Sequence, residues 1–348
     1  MKTRLLFTAL LLSLPSVAAA GSGATVRNNT VVRIDPKTNT VAAAVPVGRG
    51  PQSLAVAGST VWVYNWDDHT VSALDARTNA VIKTLRVNGL PPSIQSRSLA
   101  ADLGGAWVLS RAGGKGVVTR LGLESDSPLE VRLDGDPVSV ATGNGSTWVG
   151  VKTGFTSSAL LRLNQRTGAV TATVPLKPSI PKGGAADSSF SVVQSIAIGR
   201  TAVYALMHGG TIMRIDLRRA RVTRQHALAP RNGIDLVAGR GALWALVAHP
   251  AGRNELVQID PRSLRMSRRI ASPRATSSGN SAGSLALGTD AIWWNGGDAG
   301  SVWRVDLRRR AVTATIRVTR PFSSFGDFLP YAATAGAGAV WITVRVAP

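Results

Sequence analysis

The chain has 348 residues, 44% of them hydrophobic and 5% aromatic, with Lys+Arg 40 against Asp+Glu 19 and a formal charge of +21. That much apolar material excludes a disordered polyelectrolyte. The absence of cysteine excludes a disulfide framework, a thiolate zinc site, an iron–sulfur cluster and a cysteine nucleophile.

Residues 1–20 read as a secretory signal. Lys2 and Arg4 precede the apolar run Leu5–Leu14, and Ala18 and Ala20 supply the small residues that signal peptidase requires. The run is shorter than the roughly 20 residues needed to span a bilayer. A buried N-terminal helix is the alternative. Cleavage after Ala20 would leave a single domain, 21–348, exported to the periplasm or beyond the cell, and expected to be a soluble monomer. The loss of Lys2 and Arg4 lowers the charge from +21 to +19. No later segment is apolar enough to span a membrane.

From residue 31 onward one unit repeats. Val32-Arg33-Ile34-Asp35-Pro36-Lys37-Thr38-Asn39-Thr40-Val41 matches Val71–Val81, and the frame returns at Leu161–Val170, Met213–Val222, Val257–Met266 and Trp303–Val312, with a weaker copy at Thr119–Val131. Between copies lies a small-residue apolar stretch, a glycine turn and an aromatic strand, as in Ser53–Val63 and Ser284–Trp293. The aromatic anchor recurs as Trp62, Trp107, Trp148, Tyr204, Trp244, Trp293 and Trp341. Each unit holds four short β-rich runs bounded by turn residues, with no helical period. The Asp of each Ile-Asp pair is placed to bind turn amides, and Asn39, Asn79 and Gly168 fall where a hairpin needs positive φ. Four strands per unit of about 40–50 residues predict an all-β, seven-bladed β-propeller. The last two strands of a unit (31–47) open the mature chain and the first two (331–346) close it. The last blade should therefore be completed by both termini.

Val71-Ser72-Ala73-Leu74-Asp75-Ala76-Arg77-Thr78-Asn79-Ala80-Val81 and the run Val61–Asn65 resemble the YVTN-type propeller repeat, and the Gly-x-x-Trp steps at 241–244 and 338–341 resemble streptogramin lyase repeats. The resemblance covers nearly all of 26–346. Its lyase side implies a general acid/base His just before an inner strand and a strand-end Glu that helps to bind magnesium. Here the pre-strand positions hold Gln52, Arg97, Val138, Gln194, Ile234 and Gly283, and the strand ends hold Asn65, Ser110, Met207 and Asn295. No His or Glu stands at either kind of position, so no catalytic residue is assigned.

Two faces remain as candidate sites. Loops joining the second to the third strand, and those joining units, share one face around the channel: 65–70, 110–117, 150–158, 207–211, 248–255 and 295–301 with 48–52, 88–97, 134–138, 177–191, 229–234, 272–283 and 319–330. Its candidate ligand-binding set is Gln52, Asn65, Trp66, Asp67, Asp68, His69, Arg97, Gln194 and His208, suited to a small molecule or peptide. The bland reading of 65–69 is a solvated turn with Asp and His capping backbone groups. Phe322, Phe325, Asp327, Phe328 and Tyr331 concentrate aromatics at one rim and read as packing across the closing blade, or as ligand stacking. The histidines His69, His208, His226 and His249 lie in different units without ligand spacing, so neither a metal nor a cofactor is expected.

On the opposite face the turns between third and fourth strands carry Lys37, Arg77, Arg166, Arg218, Arg219, Arg221, Arg262, Arg265, Arg308, Arg309 and Arg310. A ring of guanidiniums attracts polyanions such as DNA or an envelope polysaccharide, with steep salt dependence. The alternative is solvated turns in an arginine-rich composition, since arginine outnumbers lysine 33 to 7. The expected function is a non-catalytic binding scaffold. Its rivals are an enzyme with a loop-face site and a structural envelope protein.

Overall fold

A computed structural model describes residues 17–18, 24–92, 97–125, 127–178, 191–228, 232–248, 254–273, 283–296, 300–321, 323 and 327–346. These form seven antiparallel sheets, each with four consecutive strands, labelled a to d outward from the ring axis. Blade 1 is Pro51–Ala57, Thr60–Asn65, Thr70–Asp75 and Ala80–Arg86; blade 2 runs from Leu99–Asp102 to Leu129–Leu133. Blade 3 spans 136–176, blade 4 193–227, blade 5 232–271 and blade 6 284–317. Blade 7 takes strands a and b from Phe328–Gly336 and Ala339–Val346, and strands c and d from Thr30–Asp35 and Thr40–Pro46. Thr30 pairs with Val344 and Ile34 with Val340, so the two termini close one sheet as the repeat order requires. Successive a strands pack in a closed cycle, with blade 7 against blade 1. Val17–Ala18 lies outside this pattern, parallel to strand d of blade 6 with Val17 opposite Thr315.

The core is divided among the seams. Seven apolar clusters form, each shared by two neighbouring blades. The aromatic anchor of each blade enters the cluster it shares with the next: Trp148 packs with Val193, Ile196 and Met213 of blade 4, and Trp341 with Leu54 and Val61 of blade 1. All seven anchors are buried. In blades 2, 3 and 7 an arginine of strand c lies across from the anchor and over its ring: Arg120 on Trp107, Arg162 on Trp148 and Arg33 on Trp341, at 5.7–5.9 Å from the ring centre. These are cation–π contacts.

Turn chemistry follows the sequence closely. Asn39, Asn79 and Gly168 have φ of 58°, 57° and 73°, and the same position is forced on Ala220, Leu264 and Arg310. In six of the seven blades a bulge in the c–d pairing accompanies this turn. One loop is tighter than expected. Residues 110–117 are not an open connection, because strand b of blade 2 runs to Ala112 and strand c restarts at Lys115. Gly113 and Gly114 both take positive φ, which permits a two-residue hairpin there.

Seam packing yields a stability prediction. Trp148→Ala should lower the unfolding free energy by about 3–5 kcal/mol. Phe155→Ala, at a side chain 71% exposed, should change it by less than about 0.5 kcal/mol. Urea midpoints of the two variants check this.

Candidate functional site: the channel mouth and the two faces

Inner strands enter the ring with a recurring irregularity. Register shifts between Pro51 and Ser53, Pro137 and Ser139, Val193 and Ser195, Gly233 and Asp235, and Pro330 and Ala333. The bulged residues are Gln52, Val138, Gln194, Ile234 and the pair Tyr331-Ala332, and bulges beside a site re-aim side chains. Ser53, Ser139, Ser195 and Asp235 come immediately after a bulge, and with Ser98 and Ser284 at the corresponding places of blades 2 and 6 they form a buried polar girdle. Members of the girdle bond onward to the next blade. Ser139 Oγ donates to Val193 O at 2.8 Å, Ser195 Oγ to Asp235 Oδ1 at 2.8 Å and Ser284 Oγ to Tyr331 O at 3.4 Å.

Blade 5 breaks the serine pattern with Asp235, and blade 2 supplies its partner. Arg97, just before strand a of blade 2, crosses the axis: its Nε donates to Asp235 Oδ1 at 2.7 Å, its Nη2 pairs with Oδ2, and the same Nη2 reaches Leu285 O at 2.8 Å. The amides of Leu236 and Leu285 also donate to this carboxylate, each at 2.8 Å. The Asp235 side chain is 3% exposed and that of Arg97 34%. This bidentate pair bars the channel near its loop-face mouth. Arg97 was legible as a candidate, whereas Asp235 was missed; its signal was an Asp in the place of the girdle serine.

The remaining loop-face residues divide. Asn65 is fully enclosed, and its Nδ2 donates to Thr70 Oγ1 and Ser72 Oγ at 3.0 and 2.8 Å. Trp66 leans on Tyr64 with ring centres 6.0 Å apart. Asp68 accepts from both the amide and the Nε of Arg49, at 2.6 and 2.7 Å, which lowers its pKa and raises that of Arg49. Asp67 is exposed, and His69 is half-buried with φ 51°. Thus 65–69 is a turn that ties blade 1 to the segment entering it, with Asp68 capping the Arg49 amide and Asn65 enclosed rather than solvated. Gln52 is buried against Arg345, whereas Gln194 and His208 are half-buried. Of the nine residues, Gln52 bonds to Arg345 and Arg97 to Asp235 at the channel, whereas Trp66 and Asp67 donate through their amides to Gly50 and Arg49. His249, Phe322 and Phe325 lie outside the described residues, as do the side chain of Phe328 and most of the connection 177–191. Among the described residues no group of three His, Cys, Asp or Glu is placed to hold a metal. No described helix is long and apolar enough to cross a membrane.

On the opposite face the turns are built alike. Asp75, Asp216, Asp260 and Asp306 accept from the amides two and three residues on, as with Arg308 and Arg309 at 2.9 and 2.8 Å. These amides hold the carboxylates below the usual aspartate range. With the carboxylates satisfied by backbone, Arg218, Arg219, Arg221, Arg262, Arg265, Arg308, Arg309 and Arg310 are exposed. Beside blade 5 the arginines continue into a concavity of about 560 Å³ lined by His226, Arg265, Met266, Ser267, Arg268 and Arg269.

No protein-family model and no curated protein matches this chain. Solved structures do. A hydrazine synthase chain of Kuenenia stuttgartiensis aligns with TM-score 0.63 and 12% identity over 87% of this chain and 96% of its own. BamB of Moraxella catarrhalis aligns with TM-score 0.55 and 13% identity over 96% of this chain and 94% of its own. The ring and these likenesses define the class of protein, a seven-bladed β-propeller. Identities this low show the fold alone, and one fold hosts unrelated functions.

Breaking the channel pair by Arg97→Met strands a buried carboxylate and should cost about 3–5 kcal/mol. Adding Asp235→Ser supplies the serine found in five other blades and should recover most of that loss. Chemical denaturation of the single and double variants measures both.

Proposed function

We propose that the mature protein is an exported, non-catalytic β-propeller scaffold that binds a polyanion, a nucleic acid or an acidic envelope glycan, across its arginine turns. One observation carries the reading: the eight exposed turn arginines share one face and run into the groove between the outer strands of blades 4 and 5. Among the described residues these guanidiniums form no salt bridge, although Arg219, Arg262 and Arg309 feel the charge of Asp216, Asp260 and Asp306, and their forks stay available for sulfate, phosphate or uronate oxygens. Stacking aromatics are not part of these turns, which favours a backbone-reading mode. The YVTN-type repeat resemblance supports a binding module over a lyase, since neither of the lyase positions carries His or Glu. In this reading residues 1–20 are the export signal and 21–348 act as one monomeric domain, in the periplasm or outside the cell.

Two experiments test it. Heparin and duplex DNA should bind with affinity that falls linearly in log–log salt plots, and the Arg308→Ser/Arg309→Ser/Arg310→Ser variant should flatten that slope. Salt-independent binding, or an unchanged triple variant, removes this face as the site. N-terminal sequencing of protein recovered from the producing cell's envelope or medium should begin at Gly21, and a start at Met1 argues against export.

A further inference from the structure

Among the described residues the buried class contains two charged side chains, Asp235 and Arg345. Asp235 is matched by Arg97. Arg345 is 9% exposed, and among the described residues it forms no salt bridge with a carboxylate. It stands near the end of strand b of blade 7, at the seam with blade 1. Its Nη1 donates to Gln52 Oε1 at 3.1 Å, and its guanidinium lies 5.3 Å from the centre of the Tyr331 ring. Its Nε is buried without an acceptor, and so is Nε2 of Gln52. Two neighbouring enclosed side chains thus hold donors without acceptors, one of them on a full positive charge. Burying an uncompensated cation is costly unless an anion completes it.

The channel provides its own comparison. Arg97 uses its Nε and Nη2 edge to grip the carboxylate of Asp235 side-on. In Arg345 the Nη1 end is tied to Gln52, leaving the Nε edge without a partner. We infer that the channel mouth at the blade 7–blade 1 seam is a binding site for a small carboxylate, held side-on by Arg345 with Gln52 Nε2 donating to it. A planar two-oxygen acceptor matches that fork, and the enclosure of both side chains restricts access to a small group such as a peptide C-terminus. The site lies on the loop face and is independent of the arginine turns.

N-acetyl-Ala-Ala, its C-terminal amide and inorganic phosphate serve as probes, read by calorimetric titration and thermal shift. The acid should bind the full chain, the amide should not, and phosphate should bind more weakly than the acid. Arg345→Met and Gln52→Leu should each weaken acid binding, the former by about tenfold to a hundredfold. Ligand-free Arg345→Met should melt at or above the wild-type temperature, since an unpaired buried charge is gone. The triple serine variant of 308–310 should bind the acid unchanged, which separates this site from the polyanion face. No wild-type response to the acid, equal responses to acid and amide, tighter phosphate binding, or undiminished binding in Arg345→Met overturns the site. A drop in the ligand-free melting temperature of Arg345→Met marks Arg345 as a structural brace and also counts against it.

Discussion

A four-stranded antiparallel sheet has two faces, and neither can be left to water when both are apolar. Each blade of this ring solves that problem by lending one face to the blade before it and one to the blade after it. The seven aromatic anchors mark where this happens, since each lies in the cluster shared with the next blade. At roughly 25 cal/mol per Å² of apolar surface, such seams are the main favourable term in folding. An open row of blades would leave two such faces uncovered. Closure through blade 7, whose strands come from both ends of the chain, leaves none, and it performs the stapling that a cysteine-free chain cannot obtain from disulfides.

Closure brings seven strand entries to one axis and creates an interior that is polar as well as apolar. The serine girdle uses short hydroxyls to link neighbouring blades there. Departures from that pattern are the informative places. Asp235 replaces a serine and receives Arg97 from across the channel, while Arg345 stands enclosed beside the carboxamide of Gln52 and the ring of Tyr331. The arginine excess therefore divides by environment. Arg33, Arg120 and Arg162 stack on anchor tryptophans and belong to the seams; Arg97 and Arg345 belong to the channel; the turn arginines face solvent.

Much of the architecture was legible in the sequence because its signals are local and repeated. Ile-Asp followed by a positive-φ position specifies the c–d turn, and the anchor spacing gives the blade count. The permuted order of strands 31–47 and 331–346 gives the mode of closure. What was not legible depends on distance. Arg97 and Asp235 are 138 positions apart, and no spacing rule pairs them. Asn65 reads as a loop-face ligand candidate, yet it ends strand b fully buried, where its amide donates to Thr70 and Ser72 of the adjacent strand c. The expected loop at 110–117 yielded to Gly113-Gly114, whose hairpin potential is visible in the sequence once both glycines are weighed as turn residues.

The ring offers a rigid frame with a basic turn face and a channel mouth closed by its own ion pair. Hydrogen–deuterium exchange with and without a heparin oligosaccharide tests this most directly. The account predicts slowed exchange at 216–222, 260–266 and 306–311, with the loop-face segments 48–52 and 65–70 unchanged. Protection confined to the loop-face segments, or absent from the turns, would contradict it.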